Sequence, residues 1–477
     1  MLFNSVEYLF VFIPIVFTVY FLLNKFKFYN VAKFFLLFAS LFFYGAYKWD
    51  YLSIIVVSIL FNYGISFCFK LNIAEAFKKG ILIFGVFANI FILFLFKYFD
   101  FLAYTFKNFD WLNFNTLGFL LPLGVSFFTI QEISYIVDCY KQRVKQYNLL
   151  DFSLFISFFP QLIAGPIVRH QEMIPQFNNL KNRAINQDNI FIGIFLITVG
   201  LLKKTVFADT FSSFIAYVIE SHTYSDLGVA WMLGIFKVLQ GFFDFSGYCD
   251  LAMGSAFLFN ISLPWNFNSP FKAVSIMDFW KRWNMSFVRF LIDYIYKPLG
   301  GQKEGVIKTL RNVMITFLVL GLWQGGNLMA VLYGLFNGLL ICINYLWQKL
   351  NLHMNKIIAR VLTLIAVIFS TQMLFTSGLN DYKLLVKSML GIGAEFHGVC
   401  IRGVDMIFQL PPPHNAQINL IVLVLALYFV LFSKNSMQLA RIYAKSNNVF
   451  YTFILVIVFV FATLSITKST DFIYFAF

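Results

Sequence analysis

The chain is a succession of apolar runs, most of them close to the length that a helix needs to cross a lipid bilayer. Four such runs lie near residues 7–23, 32–47, 51–69 and 80–96. A transmembrane helix needs about 20 apolar residues. Hydrophobic residues make up 60% of the chain and charged residues 12%, which leaves too little polar surface for a soluble fold of 477 residues. The sequence therefore predicts an all-α polytopic integral membrane protein.

The apolar runs between residues 116 and 375 are interrupted by polar, glycine and proline residues. Examples are LPLGVSFFTIQEISYIVD at 121–138 and FISFFPQLIAGPIVRHQE at 155–172. A broken helix is tolerated at membrane depth only where protein or a water-filled cavity satisfies the freed backbone groups. We therefore expect re-entrant segments here and a functional core.

The remaining runs complete one predicted domain over residues 1–477. It consists of N-terminal spans at 1–115, the motif-bearing core at 116–375, and an outer excursion with C-terminal spans at 376–477. KNFDWLNFN, between Asp100 and Asn115, predicts an interfacial segment, and PPPHN predicts a turn outside the membrane. We expect about 11 transmembrane helices in total.

The formal net charge of +14 does not indicate a nucleic-acid partner, because the basic residues fall mostly in short gaps between apolar runs. In a membrane protein, this placement indicates which loops face the cytoplasm. Lys25, Lys27 and Lys33 follow the first run, whereas Glu7 is the charged residue before it. The excess of lysine on one side predicts an outer N-terminus and a cytoplasmic first loop. Lys203 and Lys204 are interpreted as similar anchors at the end of a span.

Metal chemistry is not indicated by the cysteines and histidines. The five cysteines are far apart, with no C-x-x-C pair and no histidine at ligand spacing. We expect the cysteines to be small packing residues in helices and predict no metal site.

Polar residues concentrate between Asp244 and Gly325, in DFSGYCD, PWNFNSPF, DFWKRWNMSF, DYIYKPLGG and GLWQGG. Because unpaired polar groups are costly in hydrocarbon, this cluster predicts a cavity or site. Two roles are open for Asp244, and it needs a partner in both. It could stabilise the fold by pairing with Lys281, Arg282 or a backbone group, or it could take part directly in the chemistry. The Tyr248 hydroxyl lies on the same predicted helix face as Asp244.

Lys281 and Arg282 stand between Trp280 and Trp283, and two interpretations are open. The basic pair could hold a phosphate-bearing or pantetheine-linked donor, Arg through bidentate bonds and Lys as a point charge. It could equally anchor a helix end, with the tryptophans at the membrane interface.

The ordered set of these motifs resembles the membrane-bound O-acyltransferase family over the whole chain. The resemblance rests on PLGVSFFTIQEISYIVD, FFPQLIAGPIVR, GLLKKTVFAD, FFDFSGYCDLAMG, NFNSPF, DFWKRWNMSF, DYIYKPLGG and the terminal FIYFAF. The nearest branch contains bacterial alginate O-acetylases, peptidoglycan O-acetyltransferases and teichoic-acid D-alanylation proteins. It implies a ring of spans around a thin centre pierced by a tunnel, in the bacterial cytoplasmic (inner) membrane.

The same resemblance implies an activity. An acyl group from a cytoplasmic donor such as acetyl-CoA or an acyl-carrier protein passes to a hydroxyl on the outer side, with a central histidine essential. We therefore predict O-acetyl transfer toward a cell-envelope polysaccharide such as peptidoglycan or alginate. The implied partners are membrane lipid, the acyl donor and a periplasmic or extracellular acetyltransferase, with no tightly bound cofactor.

The chain departs from the family pattern at its histidines. The motif expected to read GLWHG has Gln324, the RRWH position has Asn284, and a third frequent histidine position is Asn337. An amide cannot accept a proton at physiological pH, so neither Gln nor Asn replaces a general base. Gln324, Asn284 and Asp244 are the predicted catalytic positions. The predicted substrate-binding residues are Lys281, Arg282, Trp280, Trp283, Trp323, Tyr248, Asn266 and Asn268.

Three hypotheses account for the missing histidines: a divergent member that acts as a membrane scaffold or partner-binding protein, an engineered replacement, and an enzyme with another base such as Asp244 or Glu132. Loss of the family's arginine in the segment Leu374-Phe375-Thr376 favours divergence. His170 is the nearest alternative histidine and is interpreted as a solvated loop residue. A secondary transporter would predict inverted repeats, which the sequence does not show.

Overall fold

The computed structural model describes residues 1–99, 103, 121–144, 147–163, 165–220, 226–376, 378–392, 416–446 and 448–466. Within these ranges the protein is built from helices and contains no β-strand. The predicted segment KNFDWLNFN, the turn PPPHN and the terminal FIYFAF lie outside the described residues. The all-α prediction is confirmed.

The α-helices follow the apolar runs of the sequence closely. In chain order they are α1 Ile13–Lys25, α2 Tyr29–Gly45, α3 Leu52–Cys68, α4 Glu75–Leu93, α5 Val125–Tyr140, α6 Leu149–Ser157, α7 Phe159–Leu162, α8 His170–Asn178, α9 Gln187–Leu201, α10 Asp209–Glu220, α11 Leu227–Leu258, α12 Ile276–Trp280, α13 Met285–Leu291, α14 Val306–Gln324, α15 Leu328–Lys349, α16 Lys356–Leu374, α17 Leu379–Met389, α18 Ala416–Leu431, α19 Ser436–Ser446 and α20 Val449–Leu464. Short π-helical turns lie at Tyr8–Phe12, Phe94–Tyr98, Leu202–Ala208 and Ile292–Tyr296.

Eight helices of the described chain are long and apolar enough to cross a membrane, and a bent pair would make a ninth. The bent pair joins Leu420–Leu431 to Ser436–Ser446 at 84°. This break lies among the predicted C-terminal spans, outside residues 116–375, where re-entrant segments were expected. The protein is therefore a multi-pass membrane protein, whereas the total of about 11 spans stays a prediction.

The chain divides into two compact units, and the prediction of one domain over 1–477 stays a prediction. The first unit comprises Met1–Val199, Tyr248–Trp265 and Ala440–Leu455. Its core is aromatic and almost without exposure, as at Phe3, Tyr8, Phe43 and Phe159. The second unit comprises Gly200–Gly247, Asn266–Leu439 and Val456–Phe477.

Polar side chains inside the first unit are paired with one another. Lys33 Nζ lies 2.7 Å from Asp151 Oδ1, Ser58 donates to Glu132 at 2.6 Å, and Asn62 donates to Asn89 at 3.1 Å. Pairing of this kind is what permits polar groups within an apolar medium. Glu132 is wholly buried and accepts its hydrogen bond from Ser58 on α3. Its carboxyl group therefore takes part in helix packing in the first unit.

In the second unit, α14 and α15 form a hairpin whose two helices touch at glycines. A Cβ atom added to Gly334 would lie 2.8 Å from Gly321 Cα and would also collide with the carbonyl oxygen of Phe317. Small residues at a crossing let helix backbones approach closely inside a membrane. The close crossing fixes the C-terminal end of α14, where Gln324 lies.

Candidate functional site

Gln324 is the last residue of α14 and is 3% exposed. The helix ends there because Gly325 takes an extended conformation, with φ −156° and ψ 152°. Asn327 then starts α15 as its N-cap, with its side chain accepting a hydrogen bond from the Ala330 amide at 2.8 Å. The motif WQGGN is thus a helix end, an extended residue and a cap, which holds the glutamine side chain at the turn between two helices.

Gln324 lines a cavity of about 40 Å³ in the second unit. A single water needs about 10–15 Å³ by this measure, so the cavity is large enough for a few waters or a small acyl group. Its walls come from five helices, α11, α12, α14, α15 and α16, and from the residues after α12 and α16, and they are mostly apolar. They comprise Val238, Gly241, Phe279, Trp283, Gln324, Tyr333, Val367, Ser370, Thr371, Leu374 and Phe375.

Asn284, the other predicted catalytic amide, follows the cavity residue Trp283 directly. It takes a left-handed backbone conformation, with φ 45° and ψ 50°, at the start of α13. Asparagine tolerates this conformation better than most residues. Its side chain is 1% exposed, and neither amide atom has a hydrogen-bond partner in the described part of the chain. A buried amide without partners is costly, which makes it a candidate for binding a ligand atom.

The predicted residues of the NFNSPF segment hold this turn in place. Asn266 Oδ1 accepts hydrogen bonds from the Ser286 amide at 3.2 Å and hydroxyl at 2.5 Å, and its backbone oxygen accepts from the Met285 amide. The Asn268 amide donates to the Arg282 oxygen at 3.0 Å. Asn266 and Asn268 therefore position the turn that carries Asn284.

Trp280 and Trp323 are buried inside the unit. Trp280 donates its indole N–H to Asn337 Oδ1 at 3.3 Å, and Trp323 packs on Phe287 with ring centroids 4.1 Å apart. The interfacial-belt interpretation is therefore wrong for Trp280, which is 3% exposed. Asn337, the third position where the family often has histidine, has its amide engaged by this contact and by the Tyr333 carbonyl oxygen at 2.9 Å.

Lys281 and Arg282 differ in their environments. Lys281 is exposed, whereas Arg282 is half-buried and binds Asp278 Oδ1 through Nε at 2.8 Å. The guanidinium also donates to the Asn268 oxygen at 3.3 Å. Arg282 thus links α12 to the NFNSPF segment. The side chain of Lys281, in contrast, is exposed at the protein surface.

Asp244 forms a buried ion pair with a partner that the sequence did not suggest. Lys204 Nζ lies 2.8 Å from Asp244 Oδ1 and 3.0 Å from Asp209 Oδ1, and all three side chains are buried. The expectation that Lys204 is an exposed anchor is wrong, as is the proposed pairing of Asp244 with Lys281 or Arg282. The π-helical turn at Leu202–Ala208 adds a residue to the helix and turns Lys204 inward.

His170 and Tyr248 lie in the first unit. His170 is wholly buried, with Nε2 3.2 Å from Asp138 Oδ2, so its interpretation as a solvated loop residue is wrong. The surrounding rings of Tyr135, Tyr147 and Phe155 exclude water from the imidazole. Tyr248 donates its hydroxyl to Asn4 Oδ1 at 3.2 Å.

The structure brings Trp283 and Gln324 to one cavity, with Asn284 directly after Trp283, as the motifs suggested. Tyr333, Ser370 and Thr371 also line the cavity and were not predicted, because each stands in an ordinary apolar run without a motif. Within the described residues there is no group of three or more His, Cys, Asp or Glu side chains that could hold a metal ion.

Comparison with known proteins gives this site its context. The family model of the membrane-bound O-acyltransferases matches residues 41–379. A peptidoglycan O-acetyltransferase of Helicobacter pylori is 37% identical over 422 residues, which is 82% of this chain and 80% of the relative. A probable alginate O-acetylase AlgI of Pseudomonas aeruginosa is 33% identical over 353 residues, covering 72% and 66% of the two chains. A teichoic acid D-alanyltransferase of Bacillus subtilis is 28% identical over 281 residues, covering 56% and 69%. The chain therefore belongs to the membrane-bound O-acyltransferase family.

Proposed function

We propose that the protein is a membrane O-acyltransferase that moves an acetyl group from a cytoplasmic thioester donor toward a hydroxyl of a cell-envelope polysaccharide. The observation that carries the proposal is the cavity beside Gln324, at the motif where the family carries its essential histidine. The similarity to a peptidoglycan O-acetyltransferase favours peptidoglycan as the acceptor. Acetyl-CoA is the proposed donor, and the small cavity suits a two-carbon acyl group.

Three elements would carry out the transfer. Lys281, the exposed cation, would meet the phosphates of the donor, while Arg282 keeps the turn in place through Asp278. The buried amide of Asn284 would donate a hydrogen bond to the thioester or to the attacking hydroxyl. Gln324 would orient the same atoms from its place in the cavity wall, without accepting a proton.

The proposed setting is the bacterial cytoplasmic membrane, with the N-terminus outside and a periplasmic or extracellular acetyltransferase as partner. The excess of lysine in the first loop supports the orientation. Single-cysteine variants Ser5→Cys and Lys27→Cys, in a background without the natural cysteines, test it. A membrane-impermeant maleimide applied to intact cells should label the first variant and spare the second.

A second candidate function is a catalytically impaired family member that serves as a membrane scaffold or partner-binding protein. It is favoured by the amides Gln324 and Asn284 at positions where the family pattern has histidines. The two candidates differ in one measurement, transfer of radiolabelled acetyl from acetyl-CoA to peptidoglycan fragments by the purified protein. Label in the acceptor supports transfer, and its absence together with retained partner binding supports the scaffold.

A further inference from the structure

Three lysines of the described chain are buried, and two of them are paired with carboxylates. Lys33 lies 2.7 Å from Asp151, and Lys204 contacts both Asp209 and Asp244. The third, Lys237, is 3% exposed, and its Nζ donates to the backbone oxygen of Phe375 at 3.3 Å. Over the described ranges no carboxylate lies within ion-pair distance of it.

Lys237 adjoins the cavity that Gln324 lines, next to two of its lining residues, Val238 and Phe375. It directly precedes Val238 on α11 and lies one helical turn before Gly241, and both of these residues line the cavity. Phe375, whose carbonyl oxygen accepts its hydrogen bond, lines the cavity from the end of α16. The Lys237 ammonium therefore lies beside the backbone of a residue that lines the cavity.

A buried ammonium with a neutral carbonyl as its partner is poorly compensated. Burial of a charge is costly unless a counter-charge is supplied, and Lys33 and Lys204 show how the fold supplies one elsewhere. The other polar groups of the cavity are amide and hydroxyl groups without charge. A ligand oxygen that carries or develops negative charge would complete the environment of Lys237.

We propose that Lys237 is a catalytic residue, whose ammonium stabilises the negative charge that develops on the acyl carbonyl oxygen; this rests on the proposed acyl transfer. In that step the acceptor hydroxyl oxygen bonds to the acyl carbon, and the carbon–sulfur bond of the thioester breaks. The hydroxyl proton ends on the leaving sulfur, and Lys237 keeps its own protons. A cation held in a mostly apolar site stabilises such an oxyanion more strongly than it would in water.

The test compares kcat and KM for acetyl transfer by the purified full-length protein and its Lys237 variants. Lys237→Gln keeps a donor for the Phe375 oxygen and removes the charge, Lys237→Met removes both, and Lys237→Arg keeps the charge. Loss of one such stabilising group costs about 10²-fold in kcat or more. We expect that loss in the Gln and Met variants, with donor KM little changed, and recovery of most of the rate in the Arg variant.

Trp231→Phe is the matched control. Trp231 is on the same helix and donates to the Met389 oxygen at 2.9 Å, so the variant loses a similar bond outside the cavity. It should keep the wild-type kcat. A Gln variant as fast as wild type would overturn the role of Lys237 and leave the acyl transfer standing. Wild-type protein that transfers no acetyl at all would overturn both.

Discussion

Lys204 and Asp244 form an ion pair in the interior of the protein, with 2.8 Å between Nζ and Oδ1. Asp209 contacts the same ammonium at 3.0 Å. The contact is possible because α11 packs closely on the end of α9, where a Cβ on Gly247 would lie 2.9 Å from the Gly200 oxygen. The three side chains therefore join α10, which begins at Asp209, to α11, the helix that also carries Lys237.

The first prediction concerns this cluster and protein stability. Lys204→Met leaves two buried carboxylates without their cation, which should destabilise the fold by about 3–5 kcal/mol. The measurement is thermal unfolding in detergent. Lys308→Met is the control, because Lys308 pairs with Glu304 at 2.9 Å on the exposed surface and the loss of such a pair should change the free energy of unfolding little. Equal melting temperatures for the two variants would contradict a structural role for the pair.

The second prediction concerns the volume of the cavity. A Cβ on Gly241 would lie 3.4 Å from the Phe375 ring, an ordinary contact, so Gly241→Ala should be tolerated. Gly241→Leu would place three further carbons in a space of about 40 Å³ and exclude the acyl group. We expect acetyl transfer to fall at least about tenfold in the leucine variant, from misplaced reacting atoms. Full activity of that variant would place transfer elsewhere.

The third prediction concerns the helix crossing that positions Gln324. Gly334→Ala would force α14 and α15 apart, since its Cβ has no space beside Gly321. Overpacking of this kind costs about 1–3 kcal/mol, and here it would also move the cavity wall. Gly64→Ala is the control, because a Cβ there meets nothing within 4 Å. We expect lower melting temperature and lower transfer for the first variant and neither effect for the second.

The fourth prediction concerns Asn284. Its buried amide has no partner among the described residues, and its backbone is left-handed, so Asn284→Gly removes the desolvation cost of the amide without straining the backbone. We expect unchanged or higher thermal stability together with loss of acetyl transfer. A strong loss of stability would instead indicate that the amide supports the fold. Ser286→Ala, which breaks the hydroxyl bond to Asn266, should lower stability and gives the contrasting result.

The helices could be predicted from the sequence because apolar run length is set directly by bilayer thickness. The run near 51–69 corresponds to α3 almost residue by residue. Trp283 and Gln324 were also predicted to share a site, since motifs that break apolar runs mark places where the backbone must be satisfied.

The pairing of polar residues could not be predicted in the same way. Asp244 required a cation, but the choice of Lys204 over Lys281 depends on a π-helical turn that no residue pattern announces. His170 was expected in solvent because it follows Arg169 at the end of a run, and its burial depends on tertiary contacts with Asp138. Lys237 could have been found, because a lysine inside an apolar run is unusual in itself.

Acetyl transfer by the purified protein, measured beside Gln324→His, tests the central claim most directly. A general base contributes about 10²–10⁴-fold to such reactions, so imidazole at this position should raise a measurable wild-type rate by at least about tenfold. Asn284→His is assayed in parallel. It shows whether an increase in the transfer rate is specific to a histidine at position 324. The account predicts labelled acceptor with wild-type protein and more of it with Gln324→His. Absence of labelled acceptor with the wild-type protein would contradict it, whatever the two histidine variants do.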